Sequence, residues 1–128
     1  MFIECNVNPK QLKVGDCVVR ALAKASGLSW DEVYLDLCNL GMDMFRMPSD
    51  KKVYETWLEQ NGFYKQKMPR HDDRTKYSVY ELAEELNEIY EGYAVVAIAN
   101  HMTVVGYGNI YDLWDCGDYK VGNFYVRL

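Results

Sequence analysis

The sequence lacks several features that would place it at once in a common functional class. Basic residues form no long run, and 19 aspartates and glutamates outnumber 14 lysines and arginines, for a net charge of −5. This balance argues against nucleic acid as a partner. No apolar run approaches the ~20 residues that cross a bilayer, and the N-terminal segment has neither the basic start nor the apolar stretch of a signal peptide. We therefore expect a cytoplasmic protein with no membrane partner.

Zinc-binding cysteine pairs are also missing. The four cysteines, Cys5, Cys17, Cys38 and Cys116, include no CxxC pair, and neither histidine is near them in sequence. No metal and no organic cofactor is therefore expected, and the even number of cysteines without a secretion signal indicates reduced thiols. With 49% hydrophobic residues, the chain can bury a core without such a cross-link, and we expect one domain over residues 1–128.

Helix signals dominate the first part of the chain. The first helix is predicted to begin near Asp16 and to end before Gly27. Its periodicity places Arg20 and Lys24 on an outer face. The segment "SWDE" is a capping box that starts a second helix at Ser29.

The second helix is predicted to end at Gly41. A third is predicted over residues 49–60, followed by a strand end and an exposed loop. A second capping box, "SVYE", starts a fourth helix at Ser78, which is expected to stop at Gly92.

Strand patterns occupy the rest of the chain. The segments "YAVVAIA", "HMTVVGY", "IYDLWD" and "GNFYVRL" are apolar or alternating, and the last ends at Leu128. The turn residues in "GYGN" join the second and third segments into a hairpin. The predicted fold class is α+β, with N-terminal helices packed on a C-terminal antiparallel sheet.

Three residues predict chemistry by a thiolate. Cys17 stands at the start of the first helix, His101 begins a late strand, and Asp112 lies on the next strand of the same hairpin. A helix N-terminus and an imidazolium both favour a thiolate, and a third polar group can orient the imidazole. We interpret Cys17 as the nucleophile, and the other three cysteines as bystanders. Asp16 argues against a nucleophilic Cys17, because an adjacent anion raises the pKa of the thiol unless the Asp16 carboxylate turns back to cap the helix.

The hairpin register decides which aspartate faces His101. A type II′ turn at residues 106–107, with glycine first, sets His101 opposite Asp112, and this is the register we expect. A turn at residues 107–108 sets His101 opposite Trp114, with Asp112 as a diagonal neighbour on the same face.

Two further registers stay open. A turn at residues 108–109 sets His101 opposite Cys116 and moves Asp112 four residues away. A three-residue loop at residues 107–109 sets His101 opposite Asp115. Asp115 is therefore the rival of Asp112 as the third member of the site.

The order Cys, His, Asp resembles that of the papain-like cysteine peptidase superfamily. "QLKVGDC" followed by "RALAKASG" resembles the start of the C39-like, bacteriocin-processing peptidases, and "HMTVVGYG" with "DLW" resembles the papain strand after its histidine and its Asn-Ser-Trp. The resemblance covers residues 11–27 and 101–117. The overall sequence pattern of the chain also resembles that of small papain-like proteins of bacteriophages. This resemblance implies that the protein acts in a bacterial or phage-infected host cell.

This resemblance implies a minimal papain-like fold and a peptide or protein substrate. It also implies that Gln11, six residues before Cys17, shares an oxyanion hole with the Cys17 backbone N–H. Asn6 and Asn8 are alternatives to Gln11. The chain departs from the family in having Val18 and Val19 after the cysteine, where Gly or Trp is common.

The expected function is therefore that of a cysteine-dependent hydrolase, a peptidase acting on a peptide amide or a related acyl bond. Two alternatives remain open. One is an amidase of cell-wall peptides, and the other is a catalytically silent papain-like binding module of phage origin. The sequence specifies neither the substrate side chains nor the oligomeric state.

Overall fold

Over residues 1–127, four helices and a six-stranded mixed sheet form the fold, which confirms the α+β class. The computed structural model describes residues 1–127. The helices are α1 (Cys17–Ser26), α2 (Trp30–Met44), α3 (Lys51–Gln60) and α4 (Val79–Ile89). The strands are β1 (Phe2–Glu4), β2 (Phe63–Gln66), β3 (Tyr93–Ile98), β4 (His101–Gly106), β5 (Asn109–Asp112) and β6 (Asn123–Arg127).

The sheet is not the purely C-terminal, antiparallel sheet that the sequence predicted. Its order is β1-β5-β4-β3-β6-β2, so β1 and β2, which precede the four C-terminal strands in the chain, lie at the two edges. β1 pairs with β5 in parallel, and the other neighbours are antiparallel. The predicted last strand is confirmed as β6, while Leu128 lies outside the described residues.

The helix boundaries follow their local signals with one exception. Both capping boxes form, at Ser29 and at Ser78. α2, however, runs past its predicted stop at Gly41 to Met44. A Cβ at Gly41 would lie 2.6 Å from the Arg46 carbonyl oxygen, so this glycine allows a close backbone approach and does not end the helix.

Helices cover both faces of the sheet. One core lies between α1, α2, α3 and the sheet, with Trp57 and Leu22 among its buried side chains. The other lies between α4 and the opposite face, with Leu82 and Ile110 buried. Alternate residues of β3 enter the two cores, Val95 the first and Val96 the second, as strand geometry requires. The sheet is thereby fixed in position against α1, whose N-terminus lies beside the start of β4.

Among residues 1–127, no helix combines the length and apolar character needed to cross a membrane.

Candidate active site

Cys17 is the first residue of α1 and is half-buried. It lines a groove of about 390 Å³ together with His101, and the thiol is close enough to the imidazole ring to interact with it. The preceding residue, Asp16, gives no side-chain cap to the first turn of α1 within the described chain. Backbone N–H groups of this turn are therefore left uncapped beside the thiol, where they favour negative charge.

His101 and Asp112 form a close, buried pair. The His101 Nε2 lies 2.6 Å from an Asp112 carboxylate oxygen, and the two side chains are 10% and 1% exposed. This contact leaves Nδ1 as the ring nitrogen available to Cys17. Burial alone would lower the pKa of His101, but Asp112 and then Cys17 raise that pKa to about 9. Burial likewise opposes ionisation of Asp112, yet His101 and the Leu113 N–H hold its pKa below 3.8.

The environment of the thiol favours the thiolate. Burial raises the pKa of Cys17, but contact with His101 and the Met102 N–H, together with the positive charges of His101 and Arg20, bring that pKa below 9.0. The pKa of the thiol and the pKa of the imidazole thus move toward each other's ordinary range. The arrangement that results is a thiolate–imidazolium pair, whose two protons titrate as one coupled system.

The hairpin register differs from the one we expected, although the same aspartate is selected. Gly106 pairs with Asn109, so the two-residue turn is Tyr107-Gly108 and not residues 106–107. Both turn residues have positive φ, 53° and 78°, as a type I′ turn requires. Gly106 is needed for another reason, since a Cβ there would lie 2.5 Å from the ring of Tyr93.

The type I′ register leaves Asp112 diagonal to His101 and brings Trp114 against the imidazole. The ring centroids of His101 and Trp114 are 4.8 Å apart, so the indole covers part of the His101 ring. Asp115 points elsewhere: it accepts hydrogen bonds from the Tyr80 hydroxyl and the Gly117 N–H. Asp112, not Asp115, is therefore the carboxylate that contacts His101.

Arg20 is buried, which corrects its predicted place on the outer face of α1. Its side chain is 9% exposed and connects two carboxylates, with Nε 2.7 Å from Asp16 and an Nη 3.2 Å from Asp112. Asp16 also accepts hydrogen bonds from the Asn8 amide and the Trp30 indole. Burial raises the pKa of Asp16, but Arg20 and these two donors lower it below 3.8.

This network answers the objection that Asp16 raises. The carboxylate does not cap α1, but its charge is balanced by a guanidinium that also lies close to Asp112. The sequence signal that could have revealed Arg20 is its spacing of four residues from Asp16, which permits an intrahelical ion pair. The long-range contact with Asp112 gives no local signal.

The amide predicted for the oxyanion hole is used elsewhere in this structure. The Gln11 side chain donates to the backbone carbonyls of Asn6 and Asn8, at 2.8 and 3.0 Å. The Asn6 amide donates to Leu12, and that of Asn8 donates to Asp16. The N–H groups at the start of α1, which Asp16 does not cap, lie beside the thiol, and Gln11 stays a prediction.

Cys116 adds a second thiol to the site, and this one is buried. Its Sγ lies 3.7 Å from Asp112, and burial together with that carboxylate raises the pKa of Cys116 to about 12. Ligand atoms of His101, Asp112 and Cys116 all lie within 4.8 Å of one another. Two ligands of a tetrahedral zinc ion stand about 3.3 Å apart at bond lengths of ~2.0–2.1 Å. The 2.6 Å contact between His101 and Asp112 is thus a hydrogen-bond distance, and a metal would have to separate the pair.

Comparisons of the chain with models of protein families, with curated proteins and with solved structures find no match.

Proposed function

We propose that the protein is a cysteine-dependent hydrolase that cleaves a peptide amide or a related acyl bond. The observation that supports this best is the alignment of Cys17, His101 and Asp112, with the thiol at an uncapped helix N-terminus and the imidazole held between thiol and carboxylate. A nucleophile, a base and an orienting group in this order are the parts that acyl transfer requires.

The Cys17 thiolate attacks the carbonyl carbon of the substrate, forming a C–S bond and placing the charge on the carbonyl oxygen. Backbone N–H groups at the start of α1 stabilise that oxyanion. His101 then gives its Nδ1 proton to the leaving amine as the C–N bond breaks, which leaves a thioester on Cys17. Water attacks the thioester, His101 accepts the water proton, and the acid product leaves as the C–S bond breaks.

Within this proposal the fold is a minimal form of the papain-like arrangement. The support is the cysteine at the N-terminus of an early helix and the histidine and aspartate on neighbouring late strands. The Cys-Val-Val sequence does not obstruct the site, since Val18 forms part of the groove wall.

A hydrolase fits the structure better than a silent binding module. Two features favour a silent module, the Val18-Val19 sequence and the anion of Asp16 beside Cys17, and Arg20 balances that anion at 2.7 Å. A module that only binds would gain nothing from the lowered pKa of Cys17 or the raised pKa of His101.

Alkylation by iodoacetamide at pH 6, followed by mass spectrometry, tests the thiolate directly. A thiol with an ordinary pKa of about 8.5 is only ~0.3% ionised at pH 6. We expect Cys17 to react at least about tenfold faster than Cys5 and Cys38. These two cysteines are half-buried like Cys17 and serve as internal controls. Exposure to p-nitrophenyl acetate should give a burst of product and an acetyl group on Cys17.

A matched pair of variants tests the orienting role. Asp112→Ala should remove the fast labelling, whereas Asp115→Ala should leave it intact. Uniform slow labelling of Cys17, Cys5 and Cys38 in the native protein would contradict the proposed function. Loss of fast labelling in Asp115→Ala, with Asp112→Ala unaffected, would show that the wrong carboxylate has been assigned.

A further inference from the structure

A second cavity adjoins the Cys17 groove on the side of the helices. It has a volume of about 350 Å³ and lies between the start of α1, α2 and the segment before α3. Gly15, Val18 and Ser49 line both this cavity and the groove, so the two spaces share a wall beside Cys17. The remaining lining is Val14, Asp16, Val19, Trp30, Tyr34, Leu37 and Pro48.

The walls of this cavity are apolar and partly rigid. Trp30 and Tyr34 stack with ring centroids 5.0 Å apart and planes 9° from parallel. The Trp30 indole N–H donates to Asp16 at 3.0 Å, which fixes the orientation of the ring. Fixed aromatic walls offer contact area to a ligand at a small cost in conformational entropy.

Asp16 is the charged residue in the described lining of the cavity, and its carboxylate is already paired. Both carboxylate oxygens of Asp16 have partners, Arg20 on Oδ1 and Asn8 with Trp30 on Oδ2. A cationic side chain entering the cavity would lose its hydration without gaining an unpaired anion, which is unfavourable. The cavity therefore selects against charge and in favour of apolar groups.

We propose that this cavity is a specificity pocket that binds one large apolar side chain, aromatic or branched aliphatic, of the acyl substrate. The proposal rests on the proposed function, because the position of the cavity directly beside the Cys17 groove is what identifies the occupant. The volume lies near the lower end of the ~300–1,000 Å³ range of ligand pockets, which suits a single large side chain. The preferred substrate is thus a peptide with such a residue next to the bond that is cleaved.

Three alkylating reagents that differ only in their side group test this pocket. Iodoacetamide is the reference, N-phenethyl-iodoacetamide presents an aromatic group, and N-(2-aminoethyl)iodoacetamide presents an ammonium. The rate of Cys17 labelling should be at least about tenfold higher for the aromatic reagent than for the reference, since burial of roughly two methylene groups supplies that factor. The ammonium reagent should gain nothing over the reference.

A charge at the pocket mouth should reverse the preference. Val14 is 51% exposed and lines the cavity, whereas Leu12 is 50% exposed and does not. Val14→Glu should cut the aromatic advantage at least severalfold and raise labelling by the ammonium reagent, while the matched control Leu12→Glu should retain the native pattern. If Cys17 is labelled by the aromatic reagent and by the reference at nearly equal rates, the proposed pocket is overturned. An equal effect of Val14→Glu and Leu12→Glu on the labelling rates would overturn it as well.

Failure of the pocket and failure of the proposed function give different results in this experiment. Fast labelling of Cys17 by plain iodoacetamide, with no preference among side groups, would leave the hydrolase standing and remove the pocket. Slow labelling by iodoacetamide would remove the hydrolase, while the ratio of the three rates and its change in Val14→Glu would still report on the cavity.

Discussion

Replacement of Asp112 by asparagine should lower the pKa of His101 substantially. The native pair is 2.6 Å apart and almost fully buried. The pKa of His101 stands at about 9 against an ordinary 6.5, a rise of roughly 2.5 pH units that corresponds to about 3 kcal/mol in favour of the imidazolium. Asp112 is the first and Cys17 the second source of this rise. Asparagine preserves an acceptor but removes the charge, so we expect a fall of about 1–2 pH units.

The assay is an NMR titration of the imidazole ring protons. Only two histidines occur in the chain, and a His71→Gln variant assigns the His101 signal. The midpoint should lie near 9 in the native protein, lower in Asp112→Asn, and lowest in Asp112→Ala, where a buried ring has no carboxyl or amide partner. A native midpoint near 6.5, or one that Asp112→Asn leaves unchanged, would refute the reasoning.

The same pair sets a pH window for stability. A raised pKa in the folded protein means that His101 contributes stability fully below pH 6.5 and loses it as the pH rises through about 9. The lowered pKa of Asp112 has the opposite sense: its contribution is present above pH 3.8 and is lost as the pH falls through the folded value. The stability deficit of Asp112→Asn in urea unfolding should therefore be greatest between these limits and smaller on either side. A deficit independent of pH would contradict this assignment.

Two further substitutions test the surroundings of the site, each with a control and with urea unfolding as the measurement. Arg20→Met leaves two buried carboxylates without their cation and should lower the free energy of unfolding by about 3–5 kcal/mol. Arg46→Met breaks a salt bridge whose side chains are 41% and 31% exposed and should lower it by only ~0–1 kcal/mol. Equal losses would mean that the Arg20 salt bridges contribute no more than a surface pair. Gly106→Ala should cost about 1–3 kcal/mol, because its Cβ meets the Tyr93 ring. Gly15→Ala, with nothing within 4 Å of the new Cβ, should leave stability near the native value; similar costs at both positions would show that Tyr93 packing does not fix Gly106.

Local signals predicted most of the helices and the residues of the site. Capping boxes at Ser29 and Ser78 are short-range patterns, and both form where the sequence placed them. Cys17, His101 and Asp112 were also identified from local context, because a helix start and a hairpin each place a side chain in a predictable way. Their mutual contact follows once α1 packs against β4.

The features that the sequence did not reveal depend on long-range contacts. The partner of β1 lies more than a hundred residues away, and a three-residue edge strand has no periodicity that shows it. Arg20 looked solvated because charge usually lies outside, and only the approach of Asp112 explains its burial. The turn was misplaced by one residue because Gly106 was interpreted as a turn glycine, although Tyr93 packing is what requires it.

The strand order also bears on how the protein folds. β1 pairs with β5, and β6 inserts between β3 and β2, so three of the five strand pairings join strands that are not consecutive in the chain. Such contacts must close long loops before they yield stability, which slows folding relative to that of helical proteins of similar size. Cys17 leaves the ribosome long before His101 and Asp112 do. A nascent chain therefore carries an unpaired Cys17 thiol, and the contact of Cys17 with His101 and Asp112 forms only when the two ends of the chain have met.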